Sequence, residues 1–271
     1  MGTADIHLNR LLALMQQQDQ DVLRPHLEPV TLEYKRLLYD AYERIEFVYF
    51  VEEGVASLVS TLANGDAAEV GTIGNEGIVG FPVLMGDEQA PTSVYIQVPG
   101  SGLRIRAEIF RQELDRSGPM RAVILHYAHA FFNQVAQSAA CAHFHKLEER
   151  CCRWLLMTRD RMASDEFLLT QEFLSMMLGV RRAGVSEAAG ALQRAGLITY
   201  HHGHVTIRDR DALEARACEC YAVSKAEFDR LLGEEGPRMR AIRKASQSLD
   251  TPLWSPPATI HRQLPSREPR W

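Results

Sequence analysis

From Met120 to Met162 the chain contains no proline and no glycine. With both helix breakers absent, its apolar residues recur at helical spacing: Val123, Ile124, Tyr127, Phe131, Val135, Ala139 and Ala142. The spacing predicts a helix over 119–162, far longer than an average one. Such a rod divides the chain in two. A long helix with one apolar seam packs on its own domain or pairs with a partner helix. Small residues at Ala136, Ala139, Ala140 and Ala142 favour close approach of a second helix. Ile124, Tyr127, Phe131, Val135, Ala139 and Ala142 are therefore read as the seam of a homodimer.

Before the rod, after a short amphipathic helix and a second helical turn within 8–27, the pattern is that of strands. IEFVYFV (45–51), VASLVSTL (55–62), AEVGTI (68–73), SVYIQV (93–98) and GLRIR (102–106) are rich in β-branched and aromatic residues. Glu53-Gly54 separates the first two, and Asn64-Gly65 is a strong hairpin signal. Many short strands with glycine turns predict an antiparallel β-roll or jelly roll over 1–118. Within it, GNEGIVGFPVLMGDEQAPTSVYIQ (74–97) has the look of a glycine-rich phosphate cradle or of a plain loop in a roll.

After the rod, 163–235 reads as a compact helical unit with a hairpin. Thr170 is a good N-cap. Phe173, Leu174, Met177 and Leu178 form one apolar stripe, and Gly179 stands where a helix ends in a left-handed residue. A second helix starts near Arg181 and stops at Gly196. Its inward face is Val185, Ala188 or Ala189, and Leu192; Arg182, Ala183, Ser186, Glu187, Gly190 and Arg194 face outward. Two helices on a tight glycine turn describe a helix-turn-helix. Ile198-Thr199-Tyr200 and Val205-Thr206-Ile207 flank His201-His202-Gly203-His204 as a wing. That arrangement suits a DNA major groove. Arg182 can pair with a guanine edge and Glu187 can accept from a cytosine amino group. Thr170, Gln171, Arg181 and His202 are read as phosphate contacts, with Ala183 and Gly184 allowing close approach. Beyond 236 the composition shifts to proline and arginine, which predicts a flexible basic tail over 236–271.

The bulk numbers set limits. The chain has 271 residues and a net charge of −5, so DNA binding must rest on a local patch. No secretory signal and no membrane span is apparent. The five cysteines, Cys141, Cys151, Cys152, Cys218 and Cys220, do not resemble a disulfide framework, and a reducing cytoplasm is the simplest setting. No nucleophile elbow, zinc-protease motif or Walker loop occurs, so no enzyme is expected.

In the order of its parts, roll, long helix and winged helix-turn-helix (an α+β chain), the sequence resembles the Crp/Fnr family of bacterial transcription regulators over residues 10–220. LEERCCRWLLMTRDRM (147–162), leading into LTQEFLSMMLGVRRAGVSEAAGALQRAGLI, is similar to that family's junction between helix and reader. The resemblance implies a cyclic-nucleotide-binding-like sensor, a two-fold dimer, a pseudo-palindromic double-stranded operator, and RNA polymerase as a partner. It places Arg182 and Glu187 on base-contacting positions. Arg181-Arg182-Ala183-Gly184 stand where the best-known members have Ser-Arg-Glu-Thr.

The same resemblance locates a ligand pocket at Gly80, Phe81, Thr92 and Ser93. Members that bind cyclic nucleotides use a Gly-Glu pair for the ribose and an Arg beside a small hydroxyl residue for the phosphate. Gly80 and Ser93 match, but Phe81 and Thr92 stand where the Glu and the Arg belong, and no Arg or Lys lies between Arg44 and Arg104. Cyclic AMP in the usual mode is not expected, and no cofactor is assigned. Iron–sulfur members carry an N-terminal cysteine cluster, and here no cysteine precedes residue 141. Cys141 and His145 share a helix face, and across a dimer they could hold a metal or haem. Solvated or seam-packed side chains are the preferred reading, and no metal site is assigned. Cys218-Glu219-Cys220 on a helix would point its thiols apart, which favours inert thiols. The competing reading of the whole chain is a receptor or scaffold that keeps the roll and the dimer helix but no longer binds DNA.

Overall fold

The computed structural model describes residues 8–233; the basic tail expected at 236–271 lies outside them. Two short helices come first among the described residues, α1 (Arg10–Leu14) and α2 (Gln17–Leu23). Asn9 caps α1 by accepting from the amides of Leu11 and Leu12, and its amide group donates to the carbonyls of Val51 and Gly77 at 2.7 and 2.9 Å. One buried side chain thus ends a helix and pins it to the roll.

Six antiparallel strands follow: β1 (Glu28–Leu32), β2 (Leu37–Tyr39), β3 (Phe47–Thr61), β4 (Ala67–Ile73), β5 (Ile78–Val79) and β6 (Ser93–Arg106). The order is β1-β6-β3-β4, with β2 also on β6 and β5 on β3. The Asn64-Gly65 turn joins β3 to β4 as expected. Glu53-Gly54 is not a turn. It lies inside the single strand β3, opposite Pro99-Gly100 in β6, where the register shifts. Gly54 has φ +98°, and a Cβ on Gly100 would overlap the Glu53 carbonyl. The two glycines let long strands bend past each other at a bulge, which mimics a turn in the sequence.

A short helix α3 (Phe81–Leu84) sits between β5 and β6, and α4 (Ala107–Arg116) leads to α5 (Gly118–Phe144). The long helix is real but stops short of Met162. His145 and Lys146 are extended, and α6 (Leu147–Arg159) begins anew. Glu149 accepts the Lys146 amide at 3.0 Å and starts the second helix, a device that needs no proline or glycine.

The seam assignment needs correction. Ile124, Tyr127 and Phe131 are buried in the chain's own core with Phe50, Ile96 and Phe110, and Val135 packs against it. Ala142 continues the same face beyond the roll and is exposed, and Ala139, turned away from Phe131, is exposed as well. One residue on, about 100° around the helix, Leu125 (57% exposed) and Phe132 (67%) stand in solvent in line with exposed Ala136 and Ala139.

The second core joins α6 to β7 (Glu166–Leu168), α7 (Gln171–Leu178), α8 (Arg182–Arg194), β8 (Ile198–His201), β9 (His204–Ile207) and α9 (Arg210–Arg216). The hairpin expected after α8 is extended by β7 into a three-stranded sheet, β7-β9-β8. The last helix among the described residues, α10 (Cys220–Leu232), returns along α5 and buries Phe228, Leu231 and Leu232 in the first core. Glu219 caps α10, so Cys218 precedes the helix. The two thiols do not point apart; with Cys141 they form one buried cluster. No helix among the described residues is long and apolar enough to cross a membrane.

Candidate nucleic-acid interface and sensor pocket

The reader is built by local rules. The Thr170 hydroxyl accepts the Phe173 amide at 3.2 Å and starts α7, and Gly179 ends it at φ +61°. Val185, Ala188, Ala189 and Leu192 bury one face of α8. Full burial of a residue such as Val185 or Leu192 contributes about 1.5–3 kcal/mol, which holds the opposite face outward. On that face Arg181, Arg182, Ala183, Ser186 and Glu187 are all exposed. No ion pair involves Arg181 or Arg182 among the described residues, so both guanidiniums are available to a ligand. At the wing tip His202 and Gly203 have φ +48° and +81°, the double left-handed turn of a tight hairpin, and His202 is exposed.

Three expected contacts are engaged elsewhere. The Thr170 hydroxyl, besides capping α7, lies 3.3 Å from the Tyr34 hydroxyl of the roll. Gln171 accepts the Ser186 hydroxyl at 2.8 Å, which ties the two helices together. Gly184 faces inward: a Cβ there would meet Leu147 of α6 at 3.1 Å, so it serves helix packing.

The four residues expected to line a pocket in the roll make contacts within the chain. The Phe81 ring packs 5.7 Å from that of Phe131 on α5. Gly80, at φ +109°, turns the chain from β5 into α3. Thr92 lies beside Tyr39, whose phenol burial pushes up to about 12. Ser93 donates to Asp40 at 2.5 Å and accepts the Ala41 amide at 3.2 Å. The Ser93 hydroxyl, with the Ala41 amide, holds the Asp40 carboxyl below the usual range. The hydroxyl beside which a phosphate would sit is thus already bonded to a carboxylate. An incoming anion would meet like charge and no cation from the 45–103 segment.

The glycine-rich stretch has another occupant. Arg161, just after α6, enters the roll and donates to Glu76 at 2.6 and 3.0 Å, to Thr72 at 2.8 Å and to Gln134 at 3.2 Å. Gln134 in turn donates to the Thr72 carbonyl. Glu76 and Arg161 are 6% and 7% exposed. Burial alone would raise Glu76, but the Arg161 charge and its hydrogen bonds hold that carboxyl below its ordinary range. A Cβ on Gly74 would overlap the Arg161 side chain, and one on Gly77 would overlap the Tyr127 ring. These glycines make room for an arginine of the reader side and a tyrosine of α5, not for a phosphate. Nearby, Glu69 accepts from Ser57 at 2.6 Å and from the Trp154 indole at 3.1 Å, and burial pushes it up to about 7. Sequence reasoning missed Glu76, Arg161, Asp40 and Glu69. Glu76 and Arg161 are 85 positions apart, and no spacing rule links them.

The family model for the cyclic nucleotide-binding domain matches residues 29–117, and that for the Crp-like helix-turn-helix domain matches residues 149–216. No curated protein sequence matches the chain. Among solved structures, FixK2 of Bradyrhizobium japonicum is similar with a TM-score of 0.61 at 15% identity, over 71% of this chain and 98% of its own. TTHB099, a CRP family transcriptional regulator of Thermus thermophilus, gives 0.58 at 20% identity, over 70% and 96%. The c-di-GMP responsive regulator CLP of Xanthomonas campestris gives 0.57 at 15%, over 71% and 99%. At such identities the likeness is one of fold. The two domain matches flank α5 and carry function as well: the chain belongs to the Crp/Fnr type of DNA-binding transcription regulator.

Proposed function

We propose that this regulator acts in the cytoplasm as a homodimer that reads a pseudo-palindromic operator through α8 and meets RNA polymerase there. The observation that carries the reading is the joint exposure of Arg181, Arg182, Ser186 and Glu187 on the first turns of α8 above a fully apolar inner face. Arg182 pairs with a guanine and Glu187 accepts from a cytosine. Arg181 and His202 hold phosphates on either side. The exposed stripe of Leu125, Phe132, Ala136 and Ala139 serves as the dimer seam, since solvent-facing Leu and Phe at seven-residue spacing suit a helix partner. Two-fold pairing then sets half-sites about 34–36 Å apart.

The roll receives a signal other than cyclic AMP in the usual mode. Support comes from Ser93 bonded to Asp40 and Phe81 packed on α5.

Selection of bound fragments from host genomic DNA tests the reading. The expected result is one enriched inverted repeat, bound by two chains, with affinity that falls steeply as salt rises. Phe132→Glu is expected to shift the protein from two chains to one in sedimentation and to abolish enrichment. Enrichment of no motif by the wild-type protein would overturn the proposal.

A further inference from the structure

Cys141 lies in the last turn of α5, His145 is the first residue of the break after it, and Cys218 and Cys220 bracket the cap of α10. Two stretches far apart in sequence thus bring three thiols and an imidazole together. The Cys141 and Cys218 sulfurs are 3.5 Å apart, and the Cys220 sulfur is 3.4 Å from His145 Nδ1. One ligand atom from each of the four residues lies within 4.8 Å of all the others. Zn–S bonds of about 2.3 Å and a Zn–N bond of about 2.0 Å give a tetrahedron with edges of about 3.5–3.8 Å. The Cys141–Cys218 and Cys220–His145 contacts are close to edges of that figure.

The surroundings match what such a centre requires. His145 turns Nδ1 to the sulfurs, and its Nε2 lies 3.2 Å from the Glu219 carboxylate. A carboxylate on the far nitrogen fixes the tautomer and orients the ring toward a metal. Gln137 donates to the Cys220 sulfur at 3.0 Å, a bond that suits a thiolate. Three thiolates and a divalent cation carry one net negative charge, which the partly open edge at His145 leaves in reach of solvent. The three cysteines are 0–5% exposed, whereas His145 is partly open and offers an entry path. Cys151 and Cys152, buried in the core of α6 at 0% exposure, belong to no such group among the described residues.

We propose that Cys141, His145, Cys218 and Cys220 form a Cys3His site for zinc(II). Soft thiolates with one imidazole in a closed tetrahedral set select this ion over harder divalent cations. Binding releases the thiol protons to solvent and ties the return of α10 to the joint between α5 and α6. That joint connects the long helix to the reader, so the ion fixes how α8 is presented relative to α5.

The test uses the full chain, purified reduced and without chelator, exposed to zinc and then passed into metal-free buffer. Elemental analysis is expected to find one zinc per chain. Cobalt(II) in its place is expected to give the intense visible bands and near-ultraviolet thiolate charge transfer of a tetrahedral site. Cys218→Ser and Cys220→Ser are expected to lose the metal, and Cys152→Ala to keep it. Glu219→Gln, at an exposed position, is expected to weaken zinc binding about 10- to 100-fold with the fold intact by circular dichroism. Wild-type protein that retains no zinc and gives no tetrahedral cobalt spectrum would overturn the proposal. So would zinc content unchanged in both serine variants, or a Cys141–Cys218 disulfide in place of the metal.

Discussion

In the roll, Ser93 is bonded to Asp40, and the space beside Gly74 and Gly77 is filled by Arg161 and Tyr127. In the reader, Arg181 and Arg182 stand in solvent without a carboxylate partner among the described residues. Both regions have ligand-binding frames, yet one has turned its polar groups inward and the other has left its two arginines free. The contrast shows that a matched fold reports a frame, while the partners of individual side chains report whether the frame still binds. A glycine-rich loop is compatible with a phosphate or with an arginine from elsewhere in the chain, and only the packed structure separates the two.

The largest effect is expected where the inward turn is most complete. Arg161→Met leaves Glu76 buried without its cation and is expected to cost about 3–5 kcal/mol of stability in denaturant unfolding. Glu76→Gln in the same chain is expected to restore much of that loss, as coupled neighbours do. Two full and additive losses would break the picture of a paired latch.

A pH effect of somewhat smaller size is expected at Glu69. Its folded value of about 7 lies above the ordinary 4.5. Between those values the folded chain keeps a proton that the unfolded chain has released. Stability from this group is therefore full below pH 4.5 and is lost as pH rises through about 7, by at most about 3 kcal/mol. The stability difference between wild type and Glu69→Gln should follow that curve. A difference that is flat across the window from the ordinary value to above the folded one would remove Glu69 from the inward set.

On the reader, Arg182→Ala is expected to weaken specific binding by about 1–3 kcal/mol and to relax preference at one base position in each half-site. A mismatched duplex should lose much less. Equal losses on matched and mismatched duplexes would make Arg182 a phosphate contact and would blunt the contrast.

Much of this was legible in the residues. The apolar stripe Phe173, Leu174, Met177, Leu178 and the inner face Val185, Ala188, Ala189, Leu192 are periodic over short distances, where helix geometry alone decides burial. The residues Phe81 and Thr92 were legible as missing charge. What replaced that charge was not, because Asp40 and Arg161 reach their partners from other elements. The face of α5 was misjudged for a related reason. Ile124 and Leu125 are both apolar neighbours, and which one meets solvent depends on where the roll ends along the helix. The convergence of Cys218 and Cys220 depended on Cys218 lying one residue outside the cap of α10, a boundary finer than periodicity resolves.

The contrast between roll and reader is tested most directly by operator affinity measured with and without saturating cyclic AMP. The expected result is tight, strongly salt-dependent binding that is the same within about twofold in both conditions, a difference of less than about 0.5 kcal/mol. Tightening of about tenfold or more by cyclic AMP would show that the roll still binds the nucleotide and would contradict the inward reading of Ser93, Thr92 and Arg161.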